Sequence, residues 1–181
     1  LSEAPSKIKE SFDIGVRKGE QSLPKEFKCM VPYKKGYALT EACVSTVQDN
    51  ELLETLDAWA QTGVIEPSTR DAIASVVKNQ QKWCNLSDVH VAMLGATSAM
   101  GPITTLLRLG ATVYAVDIDR PAVWKRLFEM TKDSPGTLIY PLKGKPKSDS
   151  DEDLANVAGC NLMEQPVEIT NWLVSAAEAH A

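Results

Sequence analysis

The sequence predicts an α/β fold, a parallel sheet of three to four strands preceded by a helical hairpin and an extended N-terminal arm. Three observations carry that expectation. Short apolar runs at 89–94, 111–116 and 137–142 have the length and composition of strands buried on both faces. Amphipathic stretches opening at Gly101 and Pro121 alternate with them, the order of a β-α-β-α-β unit. Ahead of these lie two further helical stretches with apolar residues at three- and four-residue spacing.

Residues 1–37 carry eight Lys or Arg against five Asp or Glu and show little periodicity. They read as an extended arm with a short helix near Ile8–Val16, more a solvated tail than a strap around a partner. In 38–87, Leu52, Leu53, Leu56, Trp59 and Ala60 paint one helix face, with Asp49 as N-cap and Gly63 as terminator. Ser68 and Asp71 have the spacing of a capping box for a second helix, whose buried stripe is Ile73, Val76, Val77 and Trp83. Residues 88–181 form the third segment. Its first strand ends in GATSAMG (95–101), and a helix runs from Gly101 to Leu109, where Gly110 stops it. The second strand ends in Asp117-Ile118-Asp119-Arg120. Pro121 opens a helix with Val123, Trp124, Leu127 and Phe128 on its apolar side. After the third strand come a charged loop at 143–153, a short helix near Leu154, a short strand at Cys160–Met163 and a helix over 166–179. That last helix turns Ile169, Trp172, Leu173 and Ala176 to one side.

Length and composition bound the function classes. With 181 residues, the chain suits one domain, or one with an extension, at about 150 residues per domain. Hydrophobic residues are 44% of it, enough for a core. A net charge of −5 argues against nucleic acid, which wants a basic surface. Residues 89–107 lack Asp, Glu, Lys and Arg, yet His90, Gly101, Pro102 and four Ser or Thr interrupt them, so a strand-turn-helix explains them better than a membrane span. Cys29, Cys43, Cys84 and Cys160 form no CxxC pair, and His90 and His180 are the only histidines, which disfavours a zinc site and a disulfide scaffold. Cys84 and Cys160 read as small hydrophobes, His90 as a satisfied strand residue, and the carboxylates of 149–153 lack EF-hand spacing. A reducing compartment follows, cytoplasmic or the matrix or stroma of an organelle. A start at Leu1 fits a processed product or a fragment.

The chemistry lies in the unit strand, GATSAMG, helix, strand, acid. Gly95 can take the tight turn out of the strand, and Gly101 lets the helix approach it. Backbone N–H groups between them suit a pyrophosphate. Asp117 at the next strand tip could accept hydrogen bonds from ribose hydroxyls. Asp117, Asp119 and Arg120 as simple caps of the following helix are the alternative.

GATSAMG resembles the GATGxxG turn of the extended and atypical short-chain dehydrogenase/reductases, and LANVAGCNLM (154–163) is similar to that family's segment around its fourth strand. The resemblance covers residues 88–163 and implies a Rossmann-like sheet that binds NAD(P). The implied cofactor-binding residues are Gly95, Thr97, Ser98, Met100, Gly101, Asp117 and Arg120. Asp117 favours NAD(H) by repelling a 2′-phosphate, while Arg120 could pair with that phosphate and admit NADP(H). Ser98 stands where the family has its middle glycine. None of Tyr33, Tyr37, Tyr114 and Tyr140 has a lysine four residues on, so the family's catalytic Tyr-x-x-x-Lys pair is missing and no catalytic residue carries over. An S-adenosylmethionine methyltransferase fits less well, since its first turn reads acid then GxGxG. Two functions are expected: an NAD(P)-binding oxidoreductase module without an evident catalytic half, or a non-catalytic accessory subunit of a larger protein complex, with an organelle (plastid or mitochondrion) as one setting for it. In the latter the cofactor site is vestigial. The first strand would otherwise be an open edge, so the 160–163 strand, the N-terminal helices, residues beyond Ala181 or a protein partner must cover it.

Overall fold

The computed structural model describes residues 11–25, 30–33 and 45–180. Cys29, Cys43 and about half of the expected arm lie outside the described residues. The chain divides into two compact units, one running to Leu23 and resuming at Leu86, the other spanning Pro24–Asn85.

In the Pro24–Asn85 unit, strands β2 (Met30–Tyr33) and β3 (Ser45–Gln48) pair antiparallel, and helices α1 (Asp49–Gln61) and α2 (Pro67–Trp83) follow. Leu52 and Leu56 are buried against Trp59, Ile65, Ile73 and Val77. Gly63 closes α1 at φ +72°, a conformation that costs a side chain but not glycine. The capping box does not form. Pro67 occupies the first turn, so α2 starts earlier, with Glu66 at the N-cap, and Asp71 instead meets Arg70 at 3.0 Å. Ile73 and Val77 carry the buried stripe with Ala74, whereas Val76 and Trp83 are exposed.

The other unit is a four-stranded mixed sheet in the order β1-β6-β5-β4. Strands β4 (His90–Leu94), β5 (Thr112–Val116) and β6 (Thr137–Leu142) are parallel. Helix α3 (Ile103–Arg108) joins β4 to β5, and α4 (Pro121–Lys132) joins β5 to β6. Strand β1 (Asp13–Lys18) comes from the segment expected to hold a short helix. It pairs antiparallel with β6 from Asp13↔Leu142 to Lys18↔Thr137. Ile14 and Val16 alternate with polar neighbours, and a free β6 edge offers them a complete ladder, which an isolated short helix lacks. Gly15 lies opposite Tyr140, whose ring occupies the space where a Cβ would project, 2.5 Å away.

Strand alternation divides the core. Val113, Ala115, Leu138 and Tyr140 face α3, α4 and helix α5 (Asp151–Val157), packing with Ile103, Leu107, Trp124, Leu127, Phe128 and Ala155. Tyr114, Val116 and Ile139 face the other way, onto helix α6 (Pro166–His180) through Ile169, Trp172 and Ala176. The expected strand at Cys160–Met163 does not form; the nearest pairing is one antiparallel bridge just before it, Leu142↔Ala158. Gly159 N–H donates to Pro141 O at 2.9 Å and Cys160 N–H to Asp117 O at 3.0 Å, so this segment crosses the carboxyl ends of β6 and β5. It therefore does not reach β4, which is an edge strand among the described residues.

Candidate functional site at the carboxyl ends of the strands

Parallel strands of an open α/β sheet place ligand-binding loops at their carboxyl ends. Here those loops are 95–101 after β4, 117–120 after β5 and 143–150 after β6. Gly95 leaves β4 at φ +75°, the left-handed turn its position demands. Its N–H and that of Ala96 both donate to Val116 O, at 2.8 and 3.2 Å, extending the ladder past the strand. Ser98 N–H donates to Gly95 O at 3.0 Å, and Gly101 N–H to Ser98 O at 2.8 Å. A Cβ on Gly101 would sit 3.1 Å from Ser98 O and 3.3 Å from the Met93 side chain, so glycine keeps the turn tight against its own strand.

Asp117 completes this arrangement. It is one of the few buried polar residues, only 8% exposed. Its Oδ2 accepts from Thr97 N–H at 2.6 Å and from Thr97 Oγ1 at 2.7 Å, and its Oδ1 accepts from Ile118 N–H at 2.8 Å. The turn and the acid are thus brought together, but the carboxylate is directed at the turn itself. The amides of Gly95, Ala96, Thr97, Ser98 and Gly101 are bonded within the protein. The two amides outside this network are those of Ala99 and Met100. Helix α3 behind them spans six residues, too few for a strong dipole.

Of the remaining expected residues, Ser98 and Met100 are exposed, Met100 almost completely at 96%. Arg120 is exposed at the N-cap of α4. Asp119 is drawn to Lys143, whose ammonium holds its carboxyl below the ordinary carboxylate range, with a smaller push from Arg120. Lys143 lies on the 143–150 loop, and no spacing rule links it to Asp119, which is why the sequence did not reveal it. Cys160 is buried beneath this edge, its thiol pushed up to about 11 by burial, so it is unreactive. Gly159, at φ +105°, fits between the Trp124 indole and the backbone of Ile118 and Asp119, where a Cβ would come within 2.5 Å of Trp124 Nε1. That nitrogen donates to Ile118 O at 3.0 Å and fixes the turn after β5.

Away from this edge, His90 Nδ1 and Tyr114 Oη lie 3.0 Å apart on the α6 face of the sheet. They border an apolar trough of about 510 Å³ formed with Asp88, Ala92, Leu173 and Ala177. Burial raises the Tyr114 hydroxyl above its ordinary range. Among the described residues no cluster of His, Cys, Asp and Glu could hold a metal, and no helix is long and apolar enough to cross a membrane. Comparison of the chain with protein-family models, with curated proteins and with solved structures finds no match.

Proposed function

We propose that the chain is a non-catalytic Rossmann-like module that works as part of a larger protein assembly, with its nucleotide turn closed on its own second strand. The observation that carries this reading is the seating of Asp117 on Thr97. A carboxylate that already accepts three short hydrogen bonds has little left to offer a ribose, and opening it strips partners from two backbone amides. The missing Tyr-x-x-x-Lys pair and the inert Cys160 agree with it. Among the described residues no strand pairs with the outer edge of β4, and that edge supplies a contact surface for an assembly. A reducing setting, the cytoplasm or the matrix or stroma of an organelle, suits the free thiols of Cys84 and Cys160. Calorimetric titration of the folded chain with NADH and NADPH tests the closed turn. No heat at millimolar ligand is expected, and a Kd below about 100 µM, near −5.5 kcal/mol, would overturn it.

A second reading keeps the short-chain dehydrogenase/reductase resemblance whole: an NAD(P)-binding module of an oxidoreductase. What favours it is that the Gly95 turn and Asp117 share the carboxyl end of the sheet, with exposed Met100 beside them. NAD(H) would then enter by displacing Thr97 from Asp117, and NADP(H) would draw on Arg120. Thr97→Val releases one of those bonds, so on this reading it tightens NADH binding; on the first it leaves binding undetectable.

A further inference from the structure

A cleft of about 750 Å³ opens where β6 ends, β1 begins and α6 starts. Sheet register builds it. Strand β1 runs against β6 with Asp13 opposite Leu142, so the first residues of β1 stand beside the 143–150 loop. The volume is within the range of small-molecule sites, about 300–1,000 Å³. Phe12 and Leu142 supply its apolar part.

Four charged side chains share this cleft without meeting. Lys143 and Lys145 enter from the loop, Asp13 from β1 and Glu168 from the first turn of α6. Lys143 is held by Asp119, outside the cleft. Among the described residues Asp13, Lys145 and Glu168 are in no salt bridge. Glu168 is half-buried, and a carboxylate that gives up water without gaining a partner is costly. Gln165 lines the cleft as well. Its Oε1 accepts from Asn161 N–H at 2.9 Å, so the end left for a ligand oxygen is the NH2 donor.

This lining selects neither a plain anion nor a plain cation, because the two carboxylates repel what the two lysines attract, and the reverse. A molecule bearing both charges satisfies both pairs. In a free amino acid those charges sit on one carbon. In a dipeptide a peptide unit separates them, which suits cleft charges too far apart to pair with one another.

We propose that the cleft binds a small zwitterion of the dipeptide class, with its carboxylate toward Lys145, its ammonium toward Glu168 and Asp13, and its apolar side chains on Phe12 and Leu142. The site goes beyond the function proposed above and does not depend on it, since neither the Gly95 turn nor Asp117 lines the cleft.

Titration of the chain with leucyl-leucine, followed by the indole N–H resonance of Trp172, tests this. Trp172 lies one turn along α6 from Glu168 and packs in the same cluster as Phe12. Its buried Nε1 has no hydrogen-bond partner among the described residues, so the resonance can follow the cleft. Leucyl-leucine should bind with a Kd below about 1 mM. N-acetyl-leucyl-leucine, without the ammonium, and leucyl-leucinamide, without the carboxylate, should each bind about fivefold more weakly. In Lys145→Gln the gap to the amide closes while the gap to the N-acetyl form stays; in Glu168→Gln the reverse holds. Neither side chain holds a hydrogen bond or ion pair among the described residues, so both variants should keep the urea midpoint of the parent. Lys145→Arg and Glu168→Asp retain both gaps. No shift with any of the three probes at about 10 mM overturns the proposal. So does equal binding of all three, gaps that persist unchanged in the glutamine variants, or a preference for the N-acetyl form, which marks a plain anion site. NADH calorimetry reports on the turn and the dipeptide titration on the cleft, so one can fail without the other.

Discussion

Replacing Asp117 by alanine removes the acceptor that ties the turn after β4 to the tip of β5. Three hydrogen bonds of 2.6, 2.7 and 2.8 Å are lost, two of them from backbone amides. A hydrogen bond to a carboxylate contributes about 1.5–3 kcal/mol, and an amide left without a partner costs about 1–3 kcal/mol when water stays out. The site lies at the rim of the sheet, where water can replace part of the loss, so about 4 kcal/mol is expected for Asp117→Ala. Asp117→Asn keeps the shape but sets an NH2 group against a donor, for about 2 kcal/mol. Thr97→Val removes one hydroxyl donor, for about 1 kcal/mol. The double variant Thr97→Val/Asp117→Asn should lose less than the sum, with about 1 kcal/mol of coupling. Urea unfolding read from the buried Trp124 and Trp172, in a Trp59→Phe/Trp83→Phe background, isolates this unit from the Pro24–Asn85 unit. Asp117→Asn within about 0.5 kcal/mol of the parent, the scatter of a neutral surface change, would refute the clamp and return the carboxylate to a ligand.

Gly19→Ala should destabilise the sheet unit by on the order of 3 kcal/mol, since the new Cβ falls 1.8 Å from Ser134 O; a thermal melt within 2 °C of the parent would contradict this. Burial pushes the Tyr140 hydroxyl up to about 12, opposed by Arg17. Its folded value exceeds the unfolded one, so this stability is complete below about pH 10 and drains away as pH climbs toward 12. Urea midpoints of the parent should fall across that window, and Tyr140→Phe should flatten the fall. Leu127→Ala, at a fully buried position between α4 and the sheet, should cost about 2–5 kcal/mol in the same urea assay, and a smaller loss would show that the core collapses around the gap.

Local pattern located β6 to the residue, placed β5 and α6 within a residue or two and set the start of α4 at Pro121, because each buries an apolar run or stripe whose period shows in the sequence. Strand β4 was also placed within a residue, but it is not the strand buried on both faces that its composition predicts, since only Met93 of it is buried. Local pattern failed where the partner is distant. Asp-Ile-Gly-Val-Arg-Lys is an ambiguous six-residue string until β6 offers it an edge. The same limit hid Lys143 beside Asp119. At the candidate site, the meeting of the Gly95 turn with Asp117 was legible because a β-α-β unit brings strand tips together whatever the side chains do. The identity of the acid's partner was not. Thr97 carries both a hydroxyl and an amide within reach, and whether a carboxylate faces inward to them or outward to a ligand is decided by a side-chain torsion that spacing does not encode.

The pairing of Asp13 with Leu142 sets an order of events during synthesis. The first strand of the sheet leaves the ribosome well before the strand it must join, and the whole of Pro24–Asn85 emerges in between. That inserted unit can condense while its flanking strand still waits, so the β1–β6 pairing closes after it, between segments on either side of it. Long-range closures of this kind are slow. The waiting segment must stay unaggregated meanwhile, and its arginine and lysine serve the nascent chain before they serve the finished edge.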